Sequence, residues 1–357
     1  MSEHLLDVRN LQVSFDTYAG EVKAVRGVDF YIDKGETLAI VGESGCGKSV
    51  TIQTVMRLNP EPPARIKSGS IVYQNEDLTR KTDKEMRAYR GRDFAMIFQD
   101  AMTSLNPVTR IGRQMVEAIC THEQVSREEA RSRAVEMLGK VGLSNPETVY
   151  RRYPHTLSGG QRQRVMIAMA LCCHPPVLLA DEPTTALDVT TQAQILRLMK
   201  DIQKETGCAI LIITHNLGVV ARMADRVAVM YAGQMVEKGA LDDVFYHPKH
   251  PYTWGLLGSM PDMQERTDAR LASIPGSPPD LFAPPAGCAF AARCPYCMEV
   301  CVGHNPGEYP VSKGHTARCW LLDERAENQV TPPVGEDTEM VTQKMRDYME
   351  RGGETDD

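Results

Sequence analysis

The stretch TLAIVGESGCGKSVTIQTVMRL, residues 37–58, decides the fold. Its first five residues form an apolar run suited to a buried strand, and VTIQTVMRL at its end has helical apolar spacing. Between them, residues 42–49 follow the pattern GxxxxGK[ST] in its required strand, loop, helix context. Glycines at this spacing let successive backbone N–H groups converge on phosphate oxygens at a helix start. Lys48 then reaches the β and γ phosphates and the Ser49 hydroxyl ligates Mg²⁺. Gly42, Ser44, Gly45, Cys46, Gly47, Lys48, Ser49 and Val50 are therefore candidate nucleotide contacts, with Cys46 filling a variable position of the loop.

Composition bounds the rest. A chain of 357 residues with 42% hydrophobic and 24% charged residues is globular and long enough for a large core plus smaller modules. The segment 323–357 carries 11 acidic and four basic residues and accounts for the net charge of −7; the remaining chain holds 36 of each sign. No broad basic surface advertises nucleic-acid binding. The first residues lack a basic region followed by an apolar run, and no window approaches ~20 apolar residues, so a cytoplasmic protein is expected.

Further along, VLLAD at 177–181 reads as a second buried strand ending in Asp181, with Glu182 next. A carboxylate at a strand's carboxyl end reaches Mg²⁺, and its neighbour serves as general base toward a water attacking the γ phosphate. AILIIT at 209–214 delivers His215, and FAMIF at 94–98 delivers Gln99, at equivalent strand ends. Both are candidates to hold the attacking water, and Gln99 also to sense the magnesium. LSGGQRQRVMIAMAL at 157–171 places Ser158, Gly159, Gly160 and Gln161 at a helix start, a second anion-binding element. One economical reading is a dimer in which this element completes the partner's nucleotide site.

In this order, the phosphate loop, Gln99, LSGGQ at 157–161, VLLADEP at 177–183, ALD at 186–188 and His215 resemble the ATP-binding subunits of ABC transporters. The resemblance implies an α/β P-loop ATPase core with an antiparallel β subdomain and a helical subdomain. It also implies two such domains head to tail with ATP between each phosphate loop and the opposite LSGGQ. Asp188 then belongs to the segment coupling the two sites, and the adenine stacks on Phe15 or Tyr18, with Tyr18 preferred.

FQDAMTSLNPV at 98–108, HPKHPYTWGLLGSMP at 247–261 and the segment PGSPPDL resemble the oligopeptide and dipeptide permease branch. That branch implies a second, related ATPase subunit as heterodimer partner, two transmembrane permease subunits and an extracytoplasmic solute-binding protein. It places the chain peripherally on the cytoplasmic face of the inner membrane, with peptides as leading substrate and nickel or another small solute as alternative. The segment between Gln99 and LSGGQ is expected to receive the permease subunits, with Met96, Met102, Leu105 and Met115 as apolar contacts.

The chain is expected to divide into a nucleotide-binding domain over 1–260, its helical subdomain spanning about 100–175, a cysteine-rich lobe over 261–322 and an acidic tail over 323–357. In the lobe, Cys288, Cys294, Cys297, Cys301 and Cys319 are separated by five, two, three and 17 residues. Clustered thiols in a reducing compartment favour zinc or an iron–sulfur centre over disulfides. The permease resemblance implies a [4Fe–4S] cluster on Cys288, Cys294, Cys301 and Cys319, with Cys297 as an extra thiol and zinc as the alternative.

Overall fold

A computed structural model describes residues 4–99, 104–185, 187–259 and 274–326. Met102, Ala186 and the tail beyond 326 lie outside the described residues.

The strands that read as buried apolar runs form one parallel sheet. Strands β1 (Leu6–Thr17), β2 (Gly20–Ile32), β3 (Thr37–Val41), β4 (Ala64–Tyr73), β5 (Glu76–Asp77) and β6 (Phe94–Ile97) fill the first hundred residues. β7 (Val177–Asp181), β8 (Ala209–Ile213), β9 (Arg226–Tyr231), β10 (Gln234–Ala240), β11 (Tyr309–Ser312) and β12 (His315–Ala317) follow. The large sheet runs β11-β12-β10-β9-β3-β8-β7-β6, with β9, β3, β8, β7 and β6 mutually parallel.

Every residue of β3, β7 and β8 is buried, as expected for parallel strands covered on both faces. Period-two alternation divides them between two cores. Ala39, Val41, Leu178, Ala180, Ile210 and Ile212 pack toward the helices. Leu38, Ile40, Val177, Leu179, Leu211 and Ile213 pack toward the antiparallel sheet.

That second sheet has the order β2-β1-β4-β5. β4 and β5, which follow the phosphate-loop helix in sequence, join β1 and β2 in it. The burial of β4 alternates along much of its length, which suits a strand with one face on the core and one toward solvent. The helical subdomain comprises Ile111–His122, Arg127–Lys140, Pro146–Arg151 and Gly159–Leu171. Met96, Leu105 and Met115 are all buried, so they are core residues; among the described residues here, the large apolar side chains of Phe98 and Val108 are exposed.

The C-terminal segment extends the main sheet. Glu237 of β10 pairs with Ala317 and Lys238 with Thr316 of β12. The Glu237 carboxylate is fully enclosed, accepting from the Lys249 and His250 backbone N–H groups at 2.7 and 3.0 Å and lying 2.8 Å from His315 Nε2. A buried carboxylate is tolerated only with such partners, so this one ties β10, the HPKH run and β12 together. Among the described residues, no helix is long and apolar enough to cross a membrane.

Candidate active site

Ligands of open α/β sheets gather beyond the carboxyl ends of the parallel strands. Here four such ends converge, because the register sets Ile213 beside both Ile40 and Asp181, and Ile97 beside Ala180. The loops after β3, β7, β8 and β6 carry the phosphate-loop residues, Asp181 with Glu182, His215 and Gln99 respectively.

After β3 the chain turns through Gly42 at φ 150°, Gly45 at 78° and Gly47 at 102°, and Gly47 caps the helix Lys48–Val55. A side chain would not fit at two of these positions. A Cβ on Gly42 would stand 2.1 Å from the Met230 carbonyl oxygen, and one on Gly47 2.3 Å from that of Ala24. The loop is thus pressed against β9 and β2, with Ser44 and Gly45 exposed at its turn. Lys48 is buried, and its Nζ donates to the carbonyls of Gly42 at 2.7 Å and Glu43 at 2.8 Å. Cys46 is buried beside it; burial pushes its thiol up despite the lysine, which leaves a packed thiol rather than a nucleophile.

Ser49 Oγ donates to Asp181 Oδ1 at 3.0 Å. Burial raises the Asp181 carboxyl, helped by the charge of Glu182 and opposed by Ser49 and Lys48. A hydroxyl and a carboxylate at this separation, beside a phosphate cradle, are an oxygen-only donor pair suited to Mg²⁺. The residues present therefore fit a magnesium-bound nucleotide.

Glu182 follows with φ 48°, a left-handed conformation that costs a non-glycine residue energy and clusters at functional sites. Its N–H donates to Ile213 O at 2.9 Å, and its own carbonyl accepts from Thr185 N at 3.3 Å. The side chain is held at both oxygens. Gln99 Nε2 donates to Oε2 at 3.1 Å and Thr185 Oγ1 to the same atom at 2.8 Å, while His215 Nδ1 lies 3.1 Å from Oε1. Burial alone would raise this carboxyl; the bonds from Thr185 and His215 and the nearby positive charge hold it below its ordinary value.

Ser158 caps the helix Gly159–Leu171 in a reciprocal box, its Oγ accepting from Gln161 N at 3.3 Å while Gln161 Oε1 accepts from Ser158 N at 3.1 Å. Ser158 and Gly159 are exposed, and a Cβ on Gly160 would meet Thr191 at 3.0 Å. Inside the same helix, the buried Gln163 donates to Pro183 O at 2.5 Å. That bond joins the LSGGQ helix to the residue after Glu182. Asp188 caps the helix Val189–Thr206 by accepting from Thr191 N at 2.9 Å. Tyr18 is fully exposed at the β1–β2 turn, whereas Phe15 packs on the antiparallel core.

The cysteine-rich segment requires a correction. Among the described residues, no group of three or more His, Cys, Asp or Glu side chains is disposed to hold a metal ion. Cys288, Cys294, Cys301 and Cys319, like Cys297, are free cysteines. Neither the expected [4Fe–4S] cluster nor zinc fits them, and the expected iron–sulfur lobe is not found. Burial, with the charges of the neighbouring cysteines, pushes Cys294 and Cys319 up to about 12. The segment is stabilised by packing instead. Phe290 stacks edge-on against Tyr231 at 5.3 Å and tilts against Tyr252 at 5.4 Å between ring centres, and β12 is paired to β10.

Sequence reasoning missed Thr185, Gln163, Glu43, Tyr252 and Arg293. The first was the most accessible, since a hydroxyl three residues after Glu182 lies one turn away. The rest depend on contacts distant in sequence.

Comparison with known proteins agrees with this geometry. Residues 25–185 match the ABC transporter family, and residues 236–301 match the oligopeptide/dipeptide transporter C-terminal region. The oligopeptide transport ATP-binding protein OppD of Bacillus subtilis is 55% identical over 342 residues, 96% of this chain and 94% of the relative. The dipeptide transport ATP-binding protein DppD of the same organism is 56% identical over 328 residues, 92% and 98% of the two chains. Among solved structures, the dimeric cassette MJ0796 in a post-hydrolysis state with ADP and Pi superposes with a TM-score of 0.60 at 28% identity, covering 66% of this chain and 98% of that one. The chain is an ABC-type ATPase and belongs to the ATP-binding subunits of the oligopeptide/dipeptide transporter family.

Proposed function

We propose that this chain hydrolyses ATP to drive import of di- or oligopeptides, acting on the cytoplasmic face of the membrane. Family membership implies a complex of a partner ATPase, permease subunits and a solute-binding protein. In our reading the partner is a second, related chain. The observation that carries the proposal is the continuity of the peptide-branch C-terminal region, 236–301, with an ATPase core whose Glu182 is held at both oxygens.

The backbone of Gly42, Ser44, Gly45, Cys46, Gly47 and Val50 and the Lys48 ammonium bind the phosphates. Ser49, Asp181 and Gln99 would hold Mg²⁺, which supplies neutralisation of phosphate charge. Glu182 accepts the proton of the attacking water as its oxygen bonds the γ phosphorus, and the bond to the β-phosphate oxygen breaks to leave ADP and phosphate. His215 and Gln99 orient the carboxylate and the water. Ser158, Gly159, Gly160 and Gln161 face the partner's nucleotide, Asp188 couples the two sites, and Tyr18 stacks on the adenine. The exposure of Ser158, Gly159 and Tyr18 supports these roles. Phe98, adjacent to Gln99 in sequence, and Val108 are exposed and suit contact with a permease subunit.

The test is recovery of the tagged full chain from its host, followed by uptake of labelled di- and tetrapeptides into vesicles containing the recovered complex. Two multispanning subunits and a second cassette protein should accompany it, and ATP-dependent uptake should disappear in Glu182→Gln. Recovery with ribosomes or DNA, or uptake of nickel in place of peptides, would overturn the assignment.

A further inference from the structure

One residue of the phosphate loop is gripped from the far end of the chain. Glu43 accepts two hydrogen bonds from Arg293, Nη1 to Oε2 at 2.6 Å and Nη2 to Oε1 at 2.8 Å, across 250 positions of sequence. Its backbone N–H donates to Tyr252 Oη at 2.8 Å, and its carbonyl accepts from Lys48 Nζ at 2.8 Å. Glu43 therefore touches the phosphate-binding lysine with its backbone and the C-terminal segment with its side chain.

Arg293 has no spare donor. Its Nε donates to Pro275 O at 2.9 Å, Nη1 also to Tyr231 Oη at 3.2 Å, and Nη2 also to Ile274 O at 3.2 Å. With the two bonds to Glu43, all five guanidinium N–H groups are used, and the side chain is 5% exposed. A planar fork with five donors is required here, and lysine with three cannot reproduce it. The arrangement stitches the proline-rich segment from Ile274, β9 and the phosphate loop into one unit. The same segment reaches the antiparallel sheet, where Lys23 N donates to Leu281 O at 2.9 Å.

We infer that Arg293 is a positioning residue for the phosphate loop, so that the C-terminal segment sets the affinity for MgATP through Glu43. The inference rests on the assignment of residues 42–49 as the phosphate site. The cradle is made of backbone N–H groups on three glycines, a flexible stretch whose shape depends on what anchors it. Glu43 is that anchor, and its partners lie in the segment matched to the peptide-transporter C-terminal region.

The test uses the full-length chain assembled in the recovered complex with its partner ATPase and permease subunits, and MgATP. Arg293→Met should raise KM by on the order of tenfold, within the usual range of intersite coupling, while kcat falls less than threefold. Arg293→Lys should restore only part of the loss. Glu43→Gln, which leaves the Arg293 bonds to Pro275, Ile274 and Tyr231 in place, should shift KM in the same direction, and the double variant should be no worse than Arg293→Met. Amide exchange over residues 43–48 should speed up in both single variants, a local change that general destabilisation of the C-terminal segment would not confine there. If Arg293→Met fails to fold, Glu43→Gln still decides the matter through KM and exchange. An unchanged KM and unchanged exchange in Glu43→Gln, or a double variant equal to the product of the singles, would overturn the inference. Lys48→Ala separates the two levels: if it retains normal turnover, the phosphate-site assignment fails, whereas its loss of turnover beside an unaffected Glu43→Gln removes only the coupling.

Discussion

His215 Nδ1 stands 3.1 Å from Glu182 Oε1, on the side of the carboxylate opposite the oxygen that receives Gln99 and Thr185. The arrangement fixes the rotamer of Glu182 and keeps it ionised in a half-buried position. Glu182→Gln should lower kcat at least ~100-fold, the scale of a lost general base, with MgATP binding within threefold of the parent. Steady-state turnover beside equilibrium binding checks this, and normal turnover sinks the base assignment. The pH dependence has a definite sign. Because the folded-state value is depressed, Glu182 remains a base through the mildly acidic range. Thr185→Ala removes a donor while leaving the burial, so the acidic limb of kcat should move to higher pH. The ratio of variant to parent rates should therefore be lower at pH 5.5 than at pH 7.5; an equal ratio contradicts it.

Asp181 illustrates the opposite shift. Burial raises its folded value above the unfolded one, so the folded chain holds that proton more tightly and the ionised carboxylate costs stability at neutral pH. The cost is relieved as pH falls through the folded value. Asp181→Asn keeps an acceptor for Ser49 and removes the charge. We expect Tm at pH 7.5 to rise by about 2 °C, the scale of ~1 kcal/mol in a domain of ~200 residues, while turnover falls at least ~10-fold. Thermal melts at pH 7.5 and pH 5 should show the gain shrinking in acid. A lower Tm for Asp181→Asn at pH 7.5 would show that the Ser49 hydrogen bond and the charge of Lys48 outweigh its desolvation.

Tyr18 and Phe15 separate cleanly by burial. Tyr18→Ala should raise KM for ATP ~10-fold, with Tm within about 1 °C of the parent, since its ring has no core packing to lose. Phe15→Ala should lower stability by about 1–2 kcal/mol, in proportion to the apolar area it covers. If Phe15→Ala weakens MgATP and Tyr18→Ala does not, the stacking assignment is reversed.

The buried bond from Gln163 Nε2 to Pro183 O joins the LSGGQ helix to the residue after Glu182. Gln163→Leu would leave that carbonyl unsatisfied, at a cost of about 1–3 kcal/mol. Both a lower denaturation midpoint and a lower kcat are expected, and equilibrium denaturation with parallel turnover assays measures them. A Gln163→Leu chain of unchanged stability would show that Pro183 O finds another partner.

Much of the site was legible because each part is announced by local chemistry. The phosphate loop is a strand, a glycine turn and a helix in sequence, and Asp181, Glu182, Gln99 and His215 each follow an apolar run directly. Such runs become neighbours in a parallel sheet, so their ends meet by geometry alone. Spacing misled where it had no such partner. Five cysteines close in sequence suggested a metal site, but among the described residues no three such side chains are disposed to hold an ion, and the segment is held by Phe290 packing, Arg293 bonding and β12 pairing instead. Met96, Leu105 and Met115 looked like contacts for a partner and are buried, since an apolar residue beside a functional motif carries no mark of which way it faces.

The sequence by itself determined the local chemistry of this ATPase: a glycine loop between a buried strand and a helix, carboxylates at strand ends and a second, capped helix start. These depend on residue type and on short-range order along the chain. Only the tertiary structure decided that β4 and β5 join the antiparallel sheet, that the C-terminal segment continues the main sheet, and that Arg293 closes on Glu43. Those outcomes depend on strand pairing and hydrogen bonds between residues far apart in the chain, which short-range order does not encode.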